Sequence, residues 1–461
     1  MKFKRIMSIA MVTIMTVTMF VGCSGKDTDK DVSVDTATTA AQTTAAPTEA
    51  QTEATPEEVT LTMWVTEGSQ GEFNLAQEQR FTEKYPYIKL NKIMTTENMD
   101  YMTSYAAGNA PDFLGVGMPQ ISSYIYAGVC APLNEYFDAW DDKANLNMDM
   151  FDNFKIGDNY YGVPSDSYVM VLTYNKEIFA KEGLTPPKTW DELLETAKKL
   201  TKPEENQWGM NLLISEWTEW WFEYFVWQAG GDLTAQNPDG TLKLTFTDPA
   251  VIKAAEYYRE LIDAKVIQPD VTLGYDAMQT EFAAGHAAMT ISGSDSVVGY
   301  ANKGMDPKNV GYAPLPIGPS GEQITQMGGS VTFITEGISK EKADAAWKWI
   351  SFVNSKEEKT QFLEYLNANG KLNPALRVRK DLDQFTSLVD PDLQAIFDQA
   401  ASNARLEFYG KGVVGSYVDR AVQSTTQDPS VDITKVFQEQ QDLAQKEAAD
   451  KFNESVLASK Q

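Results

Sequence analysis

The sequence predicts an α/β fold with a mainly parallel sheet, on three observations. Val59, Leu61, Met63 and Val65 alternate with Thr60, Thr62 and Trp64, the period of two of a strand with one face in a core. Residues 88–93 and the apolar run at 112–116 repeat a strand signal after stretches of helical spacing. Strands separated by helices indicate crossover connections, which join parallel neighbours. The 461 residues suffice for two large domains or three smaller ones. At 43% hydrophobic and 11% aromatic, the chain cannot be disordered as a whole.

Composition also excludes function classes. Lys plus Arg number 39 and Asp plus Glu 65, a formal charge of −26. A surface that acidic repels phosphate backbones and anionic lipid, so no nucleic-acid partner is expected. Two cysteines rule out a disulfide framework, and one histidine leaves no multi-His metal centre. No phosphate loop, HExxH-type metal motif or nucleophile motif occurs, so neither metal nor cofactor is expected.

At the start of the chain, Lys2, Lys4 and Arg5 precede an uncharged apolar run from Ile6 to Val21. That length is short for a membrane helix and suits the h-region of a secretory signal. The run ends in Phe20-Val21-Gly22-Cys23, which resembles a bacterial lipobox. The resemblance implies a lipoprotein signal peptide over 1–22 and a diacylglyceryl group, with palmitate, on Cys23. The alternative keeps 6–22 as an uncleaved anchor; either way the globular part is exported. Residues 23–57 are rich in Thr, Ala, Asp, Glu, Ser and Gln and bury too little to offset their ordering entropy. They are expected to form a tether with a root-mean-square span of ~30–35 Å. Cys130, in Gly128-Val129-Cys130-Ala131-Pro132-Leu133, reads as a small buried hydrophobe.

Later helices carry start signals. Thr189-Trp190-Asp191-Glu192 fits a capping box, followed by the stripe Leu193, Leu194, Ala197 and Leu200. Asp248-Pro249 is a cap with proline at the first helical position, opening a helix expected to bury Ile252, Ala255, Tyr258 and Ile262. Ser339 can cap the helix that carries Trp349 and Val353.

Tyr161-Gly162-Val163-Pro164, Leu172-Thr173-Tyr174-Asn175-Lys176-Glu177-Ile178-Phe179, Gly183-Leu184 and Pro187-Lys188-Thr189-Trp190-Asp191-Glu192-Leu193 together resemble the signature of extracellular solute-binding proteins. Gly108-Asn109-Ala110-Pro111-Asp112, Phe282-Ala283-Ala284-Gly285-His286-Ala287-Ala288-Met289 and Gly328-Gly329 agree in order. The version here is similar to the sugar-binding group of ABC importers that includes the maltodextrin-binding proteins. The resemblance implies a two-lobed α/β fold of the periplasmic-binding-protein type, with the ligand cleft between lobes joined by hinge segments. It places 58–165 plus 311–356 in lobe 1 and 166–310 plus 357–461 in lobe 2. It further implies a small-molecule carbohydrate as ligand, ABC permeases as partners, a monomer, and a place on the outer face of the cell membrane.

Sugars offer hydroxyls at the rim and weakly apolar C–H faces, so a site needs carboxylates and amides together with flat rings. Strand ends and loops are where such groups gather. Trp64 and Glu67 close the first strand; Trp64 serves either the cleft or a helix-layer core. Gln120 follows the third strand where relatives of the maltodextrin type bring a charged residue, which argues against maltodextrin itself. Asp112 reads as tying down a turn. Asp166 and Tyr168 flank the first hinge, where Asp166 is a ligand group or a loop cap. In the aromatic stretch 215–227, Trp217, Glu219 and Trp220 are the candidates for sugar contact, with Trp221, Phe225 and Trp227 assigned to core. Asp295 stands where many relatives carry tryptophan and favours hydrogen bonding over stacking. Gly329 and Ser330 offer backbone N–H groups, though a turn explains the glycines as well. Trp140, Trp208, Trp347, Trp349 and His286 read as structural.

The leading expectation is a carbohydrate-binding lipoprotein that takes a neutral sugar without turnover. A glycoside-active enzyme is the alternative of another class, since 65 acidic residues make some carboxylate pair inevitable. The same fold could also hold a polyamine or glycerol phosphate; the cleft loops named above carry no arginine for a phosphate.

Overall fold

The computed structural model describes residues 57–96, 99–151, 154–371, 378–382 and 392–458. Cys23, the signal segment 1–22 and all but the last residue of the 23–57 tether lie outside them.

In chain order the strands are β1 (Val59–Val65), β2 (Ile88–Met94), β3 (Phe113–Gly117), β4 (Lys155–Ile156), β5 (Asn159–Tyr160), β6 (Val163–Asn175) and β7 (Trp208–Asn211). They continue with β8 (Thr234–Gln236), β9 (Leu242–Leu244), β10 (Ala287–Gly293), β11 (Val310–Ala313), β12 (Thr325–Ile334) and β13 (Ala404–Arg405). Nine share one sheet in the order β2-β1-β3-β12-β6-β10-β7, with β11 beside β6 and β13 beside β12; β4-β5 and β8-β9 are separate ribbons.

The long strands β6 and β12 change partners along their length. The C-terminal half of β12 runs antiparallel to β3, from Ser330 beside Gly117 to Ile334 beside Phe113. The first half of β6 pairs antiparallel with β12, and its second half takes β10 and β11. The sheet is therefore mixed rather than mainly parallel. Parallel pairing holds in β1-β2, β1-β3, β10-β7 and β12-β13, whereas β12 runs against β3 and β6 runs against β10 and β11. β6 and β12 join two lobes, one with a core around Leu61, Phe81, Phe137 and Ile350 and the other around Leu193, Phe222, Tyr258 and Val418, while a third buried cluster around Tyr101, Val171, Tyr300 and Phe333 draws on both.

Midway along the crossing, the register shifts between Ser330 and Val331. Gly329 there has φ 140°, and a Cβ on it would lie 2.4 Å from the Asp166 carbonyl oxygen. Only glycine admits that backbone approach. Val310–Ala313 runs antiparallel beside Leu172 to Asn175 of β6. The helix Lys356–Ala368 lies on the first-lobe helix Glu72–Lys84, where Arg80 grips Glu358 through Nε–Oε1 at 2.8 Å and Nη2–Oε2 at 2.6 Å.

The capping residues act with small differences. Thr189 Oγ1 accepts the Glu192 N–H at 3.2 Å, but Glu192 Oε2 reaches one residue further back, to the Lys188 N–H at 2.7 Å. Leu193, Leu194, Ala197 and Leu200 are buried as expected. The helix Pro249–Asp263 buries Val251, Ala254, Ala255, Tyr258 and Leu261, a stripe shifted from the expected one, leaving Ile252 and Ile262 half-buried. Asp112 ties strand to helix, accepting the Thr62 N–H at 2.6 Å and pairing with Lys342 at 2.9 Å. Cys130 is a buried free thiol.

Candidate ligand cleft

The cleft is built at strand ends around the β6-β12 crossing. The helix Thr218–Gln228 supplies its aromatic wall, and all eleven of its residues are buried. An amphipathic surface helix buries one stripe; this one is packed on every side. The turn before it is fixed by three hydrogen bonds. Thr218 Oγ1 donates to the Ile214 carbonyl at 2.7 Å, Ser215 Oγ donates to Leu273 at 2.8 Å, and Glu216 Oε1 accepts the Tyr275 N–H at 2.5 Å. Trp217 is thereby left in the left-handed conformation, φ 47° and ψ 35°, with its side chain 55% exposed. For a non-glycine residue this costs about 1–2 kcal/mol, and such strain clusters at functional sites.

Trp217 stands over a cavity of 480 Å³ that Trp220, Trp221, Tyr168 and Tyr275 also line. Ring centroids lie 4.8 Å apart for Trp220 and Trp221, 6.3 Å for Tyr168 and Trp220, and 6.0 Å for Trp217 and Tyr275. Tyr168 is seated on Gly328, whose absent Cβ would fall 2.4 Å from the phenol. Gln120, after β3, and Asp295, after β10, add polar groups to this cavity, and Glu407 and Lys411 close it. A second cavity of 850 Å³ shares Gln120, Trp217, Glu407 and Lys411 and continues past Glu219 and Tyr126 to Phe452. The two adjoin along the four shared residues and together make the cleft.

One lysine serves a group of buried carboxyls. Lys411 Nζ lies 3.1 Å from Glu219 and 2.5 Å from Glu407, with side-chain exposures of 17%, 9% and 10%. Asp419 accepts the Glu219 backbone N–H at 2.7 Å, and Glu223 accepts that of Phe408 at 3.2 Å. Burial lifts Glu407 to about 7, although Lys411 opposes it. Burial, then the neighbouring Glu219, lifts Asp419 to about 7. Burial also works against the Glu219 carboxylate, yet Asp419 and Lys411 together hold it below its ordinary value. Glu223, fully enclosed, is pushed well up by burial and by Glu407. Asp295 opens to the cleft but is walled by protein on its other sides, and that desolvation raises its carboxyl to about 6.

This geometry matches a known family. The model for bacterial extracellular solute-binding proteins matches residues 64–360. The chain belongs to that family. A binding protein of Brucella abortus is 26% identical over 376 residues, covering 77% of this chain and 89% of its own. The maltotriose-binding protein of Pyrococcus abyssi is 27% identical over 55% of this chain and 52% of its own. In structure, an ABC substrate-binding protein of Listeria monocytogenes, solved with cycloalternan, superposes with a TM-score of 0.68 at 20% identity, covering 85% of this chain and 99% of that one. The family faces the outside of the cell membrane.

Within this solute-binding fold, Gln120, Tyr168, Trp217, Trp220 and Asp295 converge on the smaller cavity and Glu219 on the larger. The others lie apart from both. Trp64 packs edge-on to Tyr101 at 6.2 Å in the helix layer, and Glu67 is exposed beside the turn Gly68–Gln70. Asp166 Oδ1 accepts the Ser330 N–H at 2.7 Å, so it caps the crossing, and Gly329 and Ser330 shape that crossing. Trp221, assigned to core, is 5% exposed yet lines the cavity, while its indole N–H donates to the Ile291 carbonyl at 3.2 Å. Phe225 and Trp227 are core. Tyr275, Glu407 and Lys411 are lining residues that sequence reasoning misses. The usable signal was Glu407 and Lys411 at i, i+4 beside Gly410, the approach of a helix start.

Proposed function

We propose that the protein is the lipid-anchored capture subunit of an ABC importer, binding a carbohydrate of several units and releasing it unchanged to membrane permeases. The observation that carries this reading is the pair of adjoining cavities, in which eight aromatic side chains and a set of carboxyls gather where two lobes are joined by β6 and β12. Indole and phenol faces accept the C–H faces of a pyranose, and Gln120, Asp295 and Glu407 accept or donate to its hydroxyls. A ligand touching both lobes is bound better by the closed form, so it shifts the population toward closure, and permeases can then distinguish loaded from empty protein. The length of the cleft favours an oligosaccharide, in keeping with relatives named for maltotriose and galactooligosaccharide binding. The lobes divide at the crossing, near 169 and 327, and residues 356–371 and 378–382 go with the first lobe. Cys23 carries the lipid, the protein works as a monomer, and it performs no chemistry on its ligand.

Calorimetric titration with a panel of oligosaccharides tests the reading. The expected result is one-site binding on the order of 1 µM or tighter, with the saccharide recovered unaltered. Silence across all saccharides with heat for putrescine, or recovery of a converted product, would contradict it.

A further inference from the structure

The charges in the cleft do not balance. Asp295, Glu219 and Glu407 line it, and Glu223 and Asp419 stand behind, against Lys411 as the one basic residue lining either cavity. Lys411 is already engaged by Glu219 and Glu407. Asp295 forms no ion pair among the described residues, and Asp166 only adds repulsion. Glu219, 7% exposed, keeps an oxygen, Oε2, with no fixed donor, the neighbouring Asp419 carboxyl being the group that can share a proton with it. When the lobes close on an uncharged ligand, Glu407, Asp419 and Asp295 either stay ionised against desolvation or take up protons. A cation avoids both.

The cation is organic. Among the described residues no group of three or more His, Cys, Asp or Glu is arranged to hold a metal ion. The walls are indole and phenol faces, which attract ammonium groups through their ring quadrupoles. Trp217, held exposed over the cavity by its strained backbone, is the most available of them. The net charge of −26 raises the local concentration of any cationic solute.

We propose that the ligand is an amino sugar bearing a free protonated amine, the ammonium seated between the Asp295 and Glu407 carboxylates and the rings of Trp217 and Trp220. This rests on the carbohydrate reading and narrows it. In the empty cleft Glu407 and Asp419 hold protons up to about 7 and Asp295 up to about 6, all through burial. An entering ammonium stabilises their ionised forms, so binding near neutral pH releases protons.

The test is calorimetry of the full chain at about pH 7 in buffers of differing ionisation enthalpy, a setting chosen because the raised carboxyls titrate there. The ligands are a glucosamine oligosaccharide, its fully N-acetylated counterpart, a neutral gluco-oligosaccharide and spermidine. The proposal expects the free amine to bind at least about tenfold tighter than the acetylated form, with proton release into the buffer. Asp295→Asn and Glu407→Gln should each erase that preference while the indole contacts keep residual binding. Equal binding of acetylated or neutral sugar without proton release would overturn the amine but leave the carbohydrate reading standing. Heat from spermidine alone, or from none of the four, would overturn both.

Discussion

Buried charge is handled in opposite ways at two places in this molecule. In the first lobe, the Arg379 guanidinium, 1% exposed, donates to both oxygens of Asp142, to Asp381 at 2.9 Å and to the Asn354 carbonyl at 2.9 Å. Every direction of its fork is met, and burial is outweighed by its partners, which hold its proton more firmly than usual. In the cleft, one lysine faces several carboxyls, two of which keep protons to about 7. The difference teaches how to tell scaffold from site: a closed network has nothing left to offer a ligand, whereas an unbalanced one does.

That contrast can be broken at four points. The largest effect is expected from Arg379→Met, which strands two carboxylates and should cost about 3–5 kcal/mol of folding stability. Chemical denaturation measures it, and ligand affinity of the folded fraction should be unchanged. Trp217→Ala should do the reverse. Affinity should fall by roughly 10- to 100-fold while the denaturation midpoint holds or rises slightly, because the substitution removes a cleft ring. A large stability loss with intact binding would place Trp217 in the scaffold.

The third effect is pH dependence. Glu407 and Asp419 carry folded values of about 7 against ordinary values of 4.5 and 3.8. Between those limits the folded chain binds more protons than the unfolded one. Their contribution is thus complete below about pH 4 and is lost as pH rises through about 7. Glu219, held low, has the opposite sign and matters only toward acid. The melting temperature of ligand-free protein should therefore be lower near pH 8 than near pH 5.5, and Glu407→Gln should flatten the slope. The smallest effect is expected from Glu67→Gln at the exposed end of β1, within about 0.5 kcal/mol in both stability and binding.

Much of this was legible in the sequence. The alternation at 59–65 placed Leu61, Met63 and Val65 in one core and Trp64 in the opposite layer. The all-round aromatic stretch signalled that Trp217 and Trp220 would not sit in an ordinary helix face. What could not be read was long-range. Strand direction at the crossing depends on pairing between residues about 160 positions apart, such as Val169 with Met327. Glu407 and Lys411 reach the cleft only because the Lys411–Gln427 helix packs on Thr218–Gln228, a tertiary fact that their local i, i+4 spacing does not reveal. Asp166 had two readings from sequence, ligand group or loop cap, and its hydrogen bond to Ser330 favours the second.

Hydrogen–deuterium exchange with and without bound saccharide tests the central distinction most directly. Ligand should slow exchange at 217–221, 293–296 and 407–415, which contribute to or adjoin the cleft, and leave 142–146 and 378–382 unchanged. Protection around Arg379 with none at Trp217, Asp295 or Lys411 would contradict the account.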